Sequence, residues 1–162
     1  MPIRPATAQD LPAIKAIYDH EVLTGISTFA TAPPGPDYWQ VRLDSRAPGD
    51  HVYVADDGEG VLGYAYSSAY RPREAYARTR ESSVYLHPEA RGRGVGRSLY
   101  DVLLAAMRAD GVRLAVAVVA LPNDASRALH RACGFRSVGV LHDVGHKLGR
   151  WVDTELFELR LT

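Results

Sequence analysis

The run Arg91-Gly92-Arg93-Gly94-Val95-Gly96 constrains this chain more than any other stretch, because three glycines alternate within six residues. Glycine lets a backbone turn sharply and come into contact with a ligand. The run follows a strand-like segment, Ser82 to Leu86, and precedes a helix-like segment starting at Arg97. A strand, a glycine turn and a helix in that order aim several N–H groups at one point, where the helix dipole is positive. The prediction is a cradle for a phosphate or pyrophosphate, with Arg91, Arg93 and Arg97 as added cationic donors. A glycine-rich surface turn with solvated arginines would have the same composition, so the context has to decide. Two familiar cradles are excluded by spacing. No Gly-Lys-Ser/Thr occurs for a P-loop. A G-x-G-x-x-G fingerprint would put its third glycine at Arg97 or Leu99. The pattern left is R-x-x-G-x-G.

The 162 residues suffice for one domain with a sizeable core. Apolar residues make up 46% and charged residues 23%, ordinary proportions for a globular protein. Nineteen basic and 19 acidic residues balance, which argues against nucleic acid or an anionic membrane as partner. The single Cys133 can form no internal disulfide. No apolar run approaches membrane-spanning length and no signal-peptide pattern is present, so a cytoplasmic location is expected. Cys133, just before Gly134-Phe135, is read as a small packing residue.

The pattern along the chain predicts β-α-α-β-β-β-α-β-α-β-β. Ile3-Arg4-Pro5 opens as a strand, and Thr7 caps a helix with Leu11, Ile14, Ile17 and Val22 on one face. Pro33-Pro34-Gly35-Pro36 breaks regular structure, and a second helix from about Asp37 carries Trp39, Val41 and Leu43. Val52–Ala55 and Val61–Tyr66 flank Asp56-Asp57-Gly58 as a hairpin. The helix from Arg97 buries Leu99, Val102, Leu103 and Met107, and the apolar run Leu114–Val119 is a central strand. Pro122-Asn123-Asp124 starts a short helix that Gly134 stops; Val138–Leu141 and Leu156–Leu161 are the last strands. This mixed order predicts an α+β fold with a three-layer arrangement, helices on both faces of a mixed sheet.

With the glycine loop after the fourth strand, and Asn123, Ser126, Leu129 and Gly134-Phe135 following, the chain resembles the GNAT superfamily of N-acetyltransferases. Within it, the chain resembles the phosphinothricin and methionine sulfoximine N-acetyltransferase group. That likeness rests on Ile17-Tyr18-x-His20, Thr28-Phe29-x-Thr31, Tyr70-Arg71-Pro72-Arg73, Glu81-x-Ser83-Val84-Tyr85 and Lys147-x-Gly149-x-Trp151-x-Asp153. It runs from Ile3 to Leu161. The resemblance implies acetyl-CoA as co-substrate, with Arg91, Gly92, Arg93, Gly94, Val95, Gly96 and Arg97 at its pyrophosphate. It also implies that the backbones of Val84, Tyr85 and Leu86 pair with the pantetheine arm.

Acetyl transfer to an amine needs an anchored donor, a base for the ammonium, a donor to the thioester oxygen and a proton for the leaving thiolate. Asn123 either bonds the pantetheine arm or caps its helix, and the two are compatible. Glu81 shares a strand face with Ser83 and Tyr85 by period 2; the resemblance implies that it is the general base. The alternative is a solvated carboxylate paired with Arg78 or Arg80. His130 stands where many superfamily members carry a tyrosine, and is read as proton donor, auxiliary base or a structural histidine. Arg71 and Arg73, stiffened by Pro72, suit a carboxylate or phosphinate, or are solvated loop residues. Phe29, Thr31 and Tyr85 are candidate pocket walls. Trp151 packs the C-terminal strands or a dimer contact. The histidines have no metal-ligand spacing, so no metal is expected.

The leading expectation is an acetyl-CoA-dependent N-acetyltransferase acting on the α-amine of a small amino-acid-like compound: phosphinothricin, methionine sulfoximine or methionine sulfone. Protein N-terminal or polyamine acetylation, and a non-catalytic acyl-CoA sensor, are the alternatives. The arginines near Tyr70 argue against a polyamine. A homodimer is what the resemblance implies.

Overall fold

A computed structural model describes Met1 to Thr162. The elements are β1 (Ile3–Pro5), α1 (Leu11–Thr24), α2 (Asp37–Asp44), β2 (His51–Asp56), β3 (Val61–Ala69), β4 (Thr79–Leu86), α3 (Val95–Ala109), β5 (Leu114–Ala120), α4 (Asp124–Ala132), β6 (Arg136–Lys147) and β7 (Arg150–Arg160). The predicted order holds throughout. One seven-stranded sheet runs β1-β2-β3-β4-β5-β7-β6. Every neighbouring pair is antiparallel except β4 and β5. A parallel pair requires a crossover, and α3 supplies it.

The strand alternation sorts side chains into two cores. Leu99, Leu103 and Met107 of α3 pack with Ala65, Ala115, Ala117 and Phe157 on one face. Ile14, Tyr18, Val22 and Trp39 of α1 and α2 pack with Val54, Tyr64 and Tyr66 on the other. Helices on both faces of a mixed sheet make the three-layer α+β architecture. Glu81, Ser83 and Tyr85 fall on the α1–α2 face beside Ser68, Tyr66 and Tyr64, their cross-strand partners on β3.

The feature that positions the site is a break in the sheet. β4 and β5 pair only at Thr79/Leu114, Arg80/Ala115 and Glu81/Val116. Beyond that rung β4 stays bonded to β3 as far as Leu86, and β5 stays bonded to β7 as far as Ala120. The two strands therefore diverge within the sheet, each leaving one backbone edge free.

Several sequence expectations need correction. Val41 of α2 is 66% exposed, because it lies on the outer side of the helix, while Trp39 is buried and Tyr38 packs partly buried against the same core. On α3, Val102 is half-buried, while Tyr100 and Leu104 join the core. The helix starts at Val95, with Gly94 as its N-cap. Thr7 caps a short 3-10 turn, Ala8–Asp10, ahead of α1; its N–H and hydroxyl both donate to Asp10. The last two strands form a hairpin longer than the apolar runs suggested, carrying solvent-facing residues almost throughout β6. Trp151 packs on the C-terminal strands only at their surface: it is 65% exposed and tilts against His146, its cross-strand partner on β6, 4.8 Å away.

Candidate active site

The divergence of β4 and β5 opens a cleft of about 580 Å³. Ser82 to Leu86 line one wall, Val118 to Ala120 the other, and the glycine loop and α4 close the outer end. Val118 is 42% exposed on a central strand because its side faces this opening.

The glycine loop fits an anion. The N–H groups of Gly92, Arg93, Gly94, Val95, Gly96 and Arg97 donate to no protein acceptor; the first helical bond is Ser98 N–H to the Gly94 carbonyl. Unpaired amides at a helix N-terminus are an anion site. Gly92 and Gly94 have φ of 72° and 78°, and a Cβ added at either would meet nothing within 4 Å. Glycine is thus required for backbone shape, with open space beside it. Gly96 has a different role: a Cβ there would lie 3.0 Å from Leu129 Cδ2, so its smallness lets α3 approach α4. The arginines also divide. Arg97 donates to Asp101 and to the Ala132 carbonyl, so its side chain is committed within the protein. Arg91 pairs with Glu21 at 3.5 Å, and Arg93 is exposed.

Glu81 sits on the last rung shared by β4 and β5, one residue before Ser82, where the lining of the cleft begins. It makes no hydrogen bond or ion pair. Arg80 is taken by Asp50 at 3.2 Å and by the Pro48 carbonyl, and Arg78 forms no ion pair, so the anticipated pairing with either is absent. Burial raises the Glu81 pKa above the ordinary glutamate value, and the positive charge of Arg71 moderates the rise.

His130 is buried on α4. Its Nδ1–H donates to the Ser126 carbonyl at 2.7 Å, which leaves Nε2 to accept from the Tyr100 hydroxyl at 2.9 Å. Burial lowers the imidazole pKa, so the ring is neutral around pH 7. The Tyr100 oxygen lies 3.4 Å from the Ser82 hydroxyl, and all three residues line the cleft. Asn123 caps α4 through the Ser126 N–H, 3.1 Å, and lines the cleft as well, so both of its anticipated roles are open to it. Cys133 packs against the α3 core, and burial raises its thiol pKa.

The anticipated substrate residues are less gathered. Tyr85 lines the cleft, its ring edge-on to Tyr18 at 5.3 Å. Phe29 lies against Gly145 of β6, and Thr31 is exposed on the same loop. Arg71 stacks on Tyr70 at 4.9 Å and Arg73 starts a short turn; both are exposed.

Sequence reasoning missed Tyr100, Ser82, Glu21 and Ser27. Glu21 accepts from the Ser27 N–H at 3.2 Å while facing Arg91, joining the loop after α1 to the glycine loop. It also missed Arg42, whose guanidinium lies 3.8 Å above the Tyr38 ring with no carboxylate paired to it. The only signal in the sequence was an arginine one helical turn after Tyr38. No group of metal-binding side chains occurs, and no helix is long and apolar enough to cross a membrane.

Comparison with known proteins agrees with this geometry. The Acetyltransferase (GNAT) family matches residues 14–135. The phosphinothricin N-acetyltransferase of Alcaligenes faecalis is 45% identical over 161 residues, covering 96% of this chain and 80% of that protein. The L-methionine sulfoximine/L-methionine sulfone acetyltransferase of Pseudomonas aeruginosa is 39% identical, covering 98% and 94%. A GNAT superfamily phosphinothricin acetyltransferase from Sinorhizobium meliloti, solved in complex with AcCoA, superimposes with a TM-score of 0.93 at 40% identity, covering 98% and 87%. A split sheet, an amide-lined anion cradle at its mouth and this degree of likeness together make the chain a member of the GNAT acetyltransferase family, an N-acetyltransferase with acetyl-CoA as co-substrate.

Proposed function

We propose that residues 1–162 work as one acetyltransferase domain that acetylates the α-amine of a small amino-acid-like acceptor of the phosphinothricin, methionine sulfoximine or methionine sulfone type. The observation that carries this reading is Glu81, an unpaired carboxylate of raised pKa where the cleft begins. An amine-binding site needs a base there. The relatives named for phosphinothricin and methionine sulfoximine supply the acceptor class.

Acetyl-CoA, when bound, supplies a thioester whose carbonyl carbon accepts the amine and whose sulfur leaves as thiolate. The diphosphate end fits the amides from Gly92 to Arg97, with Arg91 and Arg93 adding positive charge. The free edge of β4 at Val84, Tyr85 and Leu86 offers backbone groups to the pantetheine arm, and Asn123 faces it from α4. One β4 N–H, aimed at the thioester oxygen, counters the charge that builds there; losing such a donor costs on the order of 10²–10³ in rate. Glu81 takes one proton from the acceptor ammonium, freeing the lone pair that forms the new C–N bond. The second nitrogen proton leaves as the C–S bond breaks and ends on sulfur. His130, neutral and hydrogen-bonded to Tyr100, holds that hydroxyl beside Ser82 in the cleft and serves as an auxiliary proton acceptor. Arg71 and Arg73, on the loop before β4, attract the acceptor's carboxylate and its phosphinate or sulfoximine end, and Phe29, Thr31 and Tyr85 bound its side chain. A cytoplasmic homodimer completes the reading; exposed Val140, Leu141, Val144, Leu148 and Trp151 on the β6–β7 hairpin supply an apolar face for a second copy.

The test is thiol release from acetyl-CoA with a panel holding those three compounds, common amino acids, a polyamine and a peptide N-terminus. Turnover concentrated on the amino-acid analogues is expected. Turnover of the peptide or polyamine alone would contradict the acceptor assignment.

A further inference from the structure

The loop that carries Phe29 is fastened to the distant C-terminal hairpin. Lys147, at the end of β6, is only 4% exposed, and its Nζ donates to the Thr28 carbonyl at 2.7 Å across 119 residues of sequence. No carboxylate pairs with it; Glu21 is the one acidic group whose charge bears on it. Two residues before it, Gly145 seats the Phe29 ring: a Cβ there would stand 2.3 Å from Cε2. The turn that follows has Leu148 at φ 52° and Gly149 at φ 75°, and two consecutive positive φ angles match the twist of a two-residue hairpin. From its other side the loop is held by the Tyr18 hydroxyl on Thr28 Oγ1 at 2.8 Å and by Glu21 on the Ser27 N–H. Tyr18 and Glu21 belong to α1, whose residues Ile17, His20 and Glu21 line the cleft. Outside α1, Lys147 and Gly145 reach the loop from β6, and the Tyr85 hydroxyl of β4 reaches the Ser27 carbonyl at 3.5 Å.

An ammonium withdrawn from water for one carbonyl bond is a poor way to stabilise a fold; an apolar side chain of similar volume does as well or better. We infer that Lys147, with Gly145 as the seat of the Phe29 ring, is a positioning residue that fixes the acceptor wall and thereby selects the acceptor. The compounds favoured are those whose unbranched hydrocarbon stem lies along an aromatic ring. The inference rests on the acceptor site proposed above, and it places selection on β6 while the glycine loop governs acetyl-CoA alone.

The variants are Lys147→Met, Lys147→Arg, Gly145→Ala, Phe29→Ala and the Lys147→Met/Phe29→Ala double. They are assayed with whichever amine the unmodified protein acetylates. Lys147→Met should raise KM for the amine about tenfold, the effect of losing a hydrogen bond to a charged group. KM for acetyl-CoA should stay within about twofold, and Tm should hold or rise. Lys147→Arg should recover part of the loss, Gly145→Ala should shift the order of preferred acceptors, and the double variant should be no worse than the worse single. Amide exchange in residues 26–30 should quicken in Lys147→Met, a readout independent of turnover. Unchanged amine KM with unchanged exchange, a parallel rise in both KM values, or additive effects in the double variant would overturn the inference. A selective effect measured with a peptide amine would uphold it while removing the amino-acid acceptor.

Discussion

Glu81 and Val116 face each other on the last rung that β4 and β5 share, and the cleft begins where their pairing ends. The backbone at Glu81 is therefore held on both sides, by Ser68 of β3 and Val116 of β5, while its carboxylate has no ion-pair partner. Glu81→Gln should lower kcat by about 10²–10⁴ while acetyl-CoA affinity stays within about twofold. Steady-state kinetics together with a binding titration check this; an unaltered kcat would remove Glu81 from the chemistry.

The pH dependence has a definite sign. Glu81 must be ionised to act, and burial raises its pKa above the ordinary value, so kcat/KM should fall on the acid side at a pH above ordinary glutamate titration. Arg71 moderates that rise, so Arg71→Ala should move the acid limb to higher pH. A raised carboxylate pKa also means that the ionised form weakens the fold, fully above the folded pKa and not at all below the unfolded one. Glu81→Gln should thus raise Tm near about pH 8 and leave it unchanged near about pH 4. A Tm gain of equal size at both values would contradict the assignment.

The glycines of the loop should separate by role. Gly94→Ala forces an alanine to φ 78° beside open space, so it should weaken acetyl-CoA binding about tenfold or more, with about 1 kcal/mol lost in stability. Gly96→Ala presses on Leu129 and should lower Tm more than it weakens binding. Paired binding titrations and thermal melts give the comparison, and the reverse pattern would contradict it.

His130 has its folded pKa lowered by burial, so protonation opposes folding. Stability from the neutral ring is complete above the unfolded value of about 6.5 and declines as pH falls from there toward the folded value. His130→Gln should remove that component of acid destabilisation. It should also lower stability at about pH 7.5 by roughly 1–3 kcal/mol, since the buried Tyr100 hydroxyl loses its acceptor geometry. Denaturant titrations at several pH values measure both; an identical acid slope in the variant would show that His130 is not the group.

The order of elements, the glycine loop, the Asn123 cap and the shared face of Glu81, Ser83 and Tyr85 were legible in the sequence, because each follows from local spacing. The divergence of β4 from β5 was not: Ser82–Leu86 and Val118–Ala120 read as ordinary strand residues, and only the register shows that their pairing stops at Glu81. The β6–β7 hairpin was underestimated because Gly139, Asp143 and Gly145 interrupt the alternation, and the structure absorbs them as register shifts. The Lys147–Thr28 bond and the Arg91–Glu21 pair join residues far apart in the chain, where spacing carries no information. Arg97 looked like a phosphate ligand, yet Asp101 one helical turn later had already claimed its guanidinium.

The most direct measurement is an isothermal titration of CoA into the folded protein and into Gly94→Ala. If a coenzyme diphosphate rests on the amides following Arg91, the unmodified protein should bind with one-to-one stoichiometry and the variant about tenfold or more weakly. Absence of heat with the unmodified protein, confirmed by no shift in Tm, would contradict the account, as would equal affinity in both.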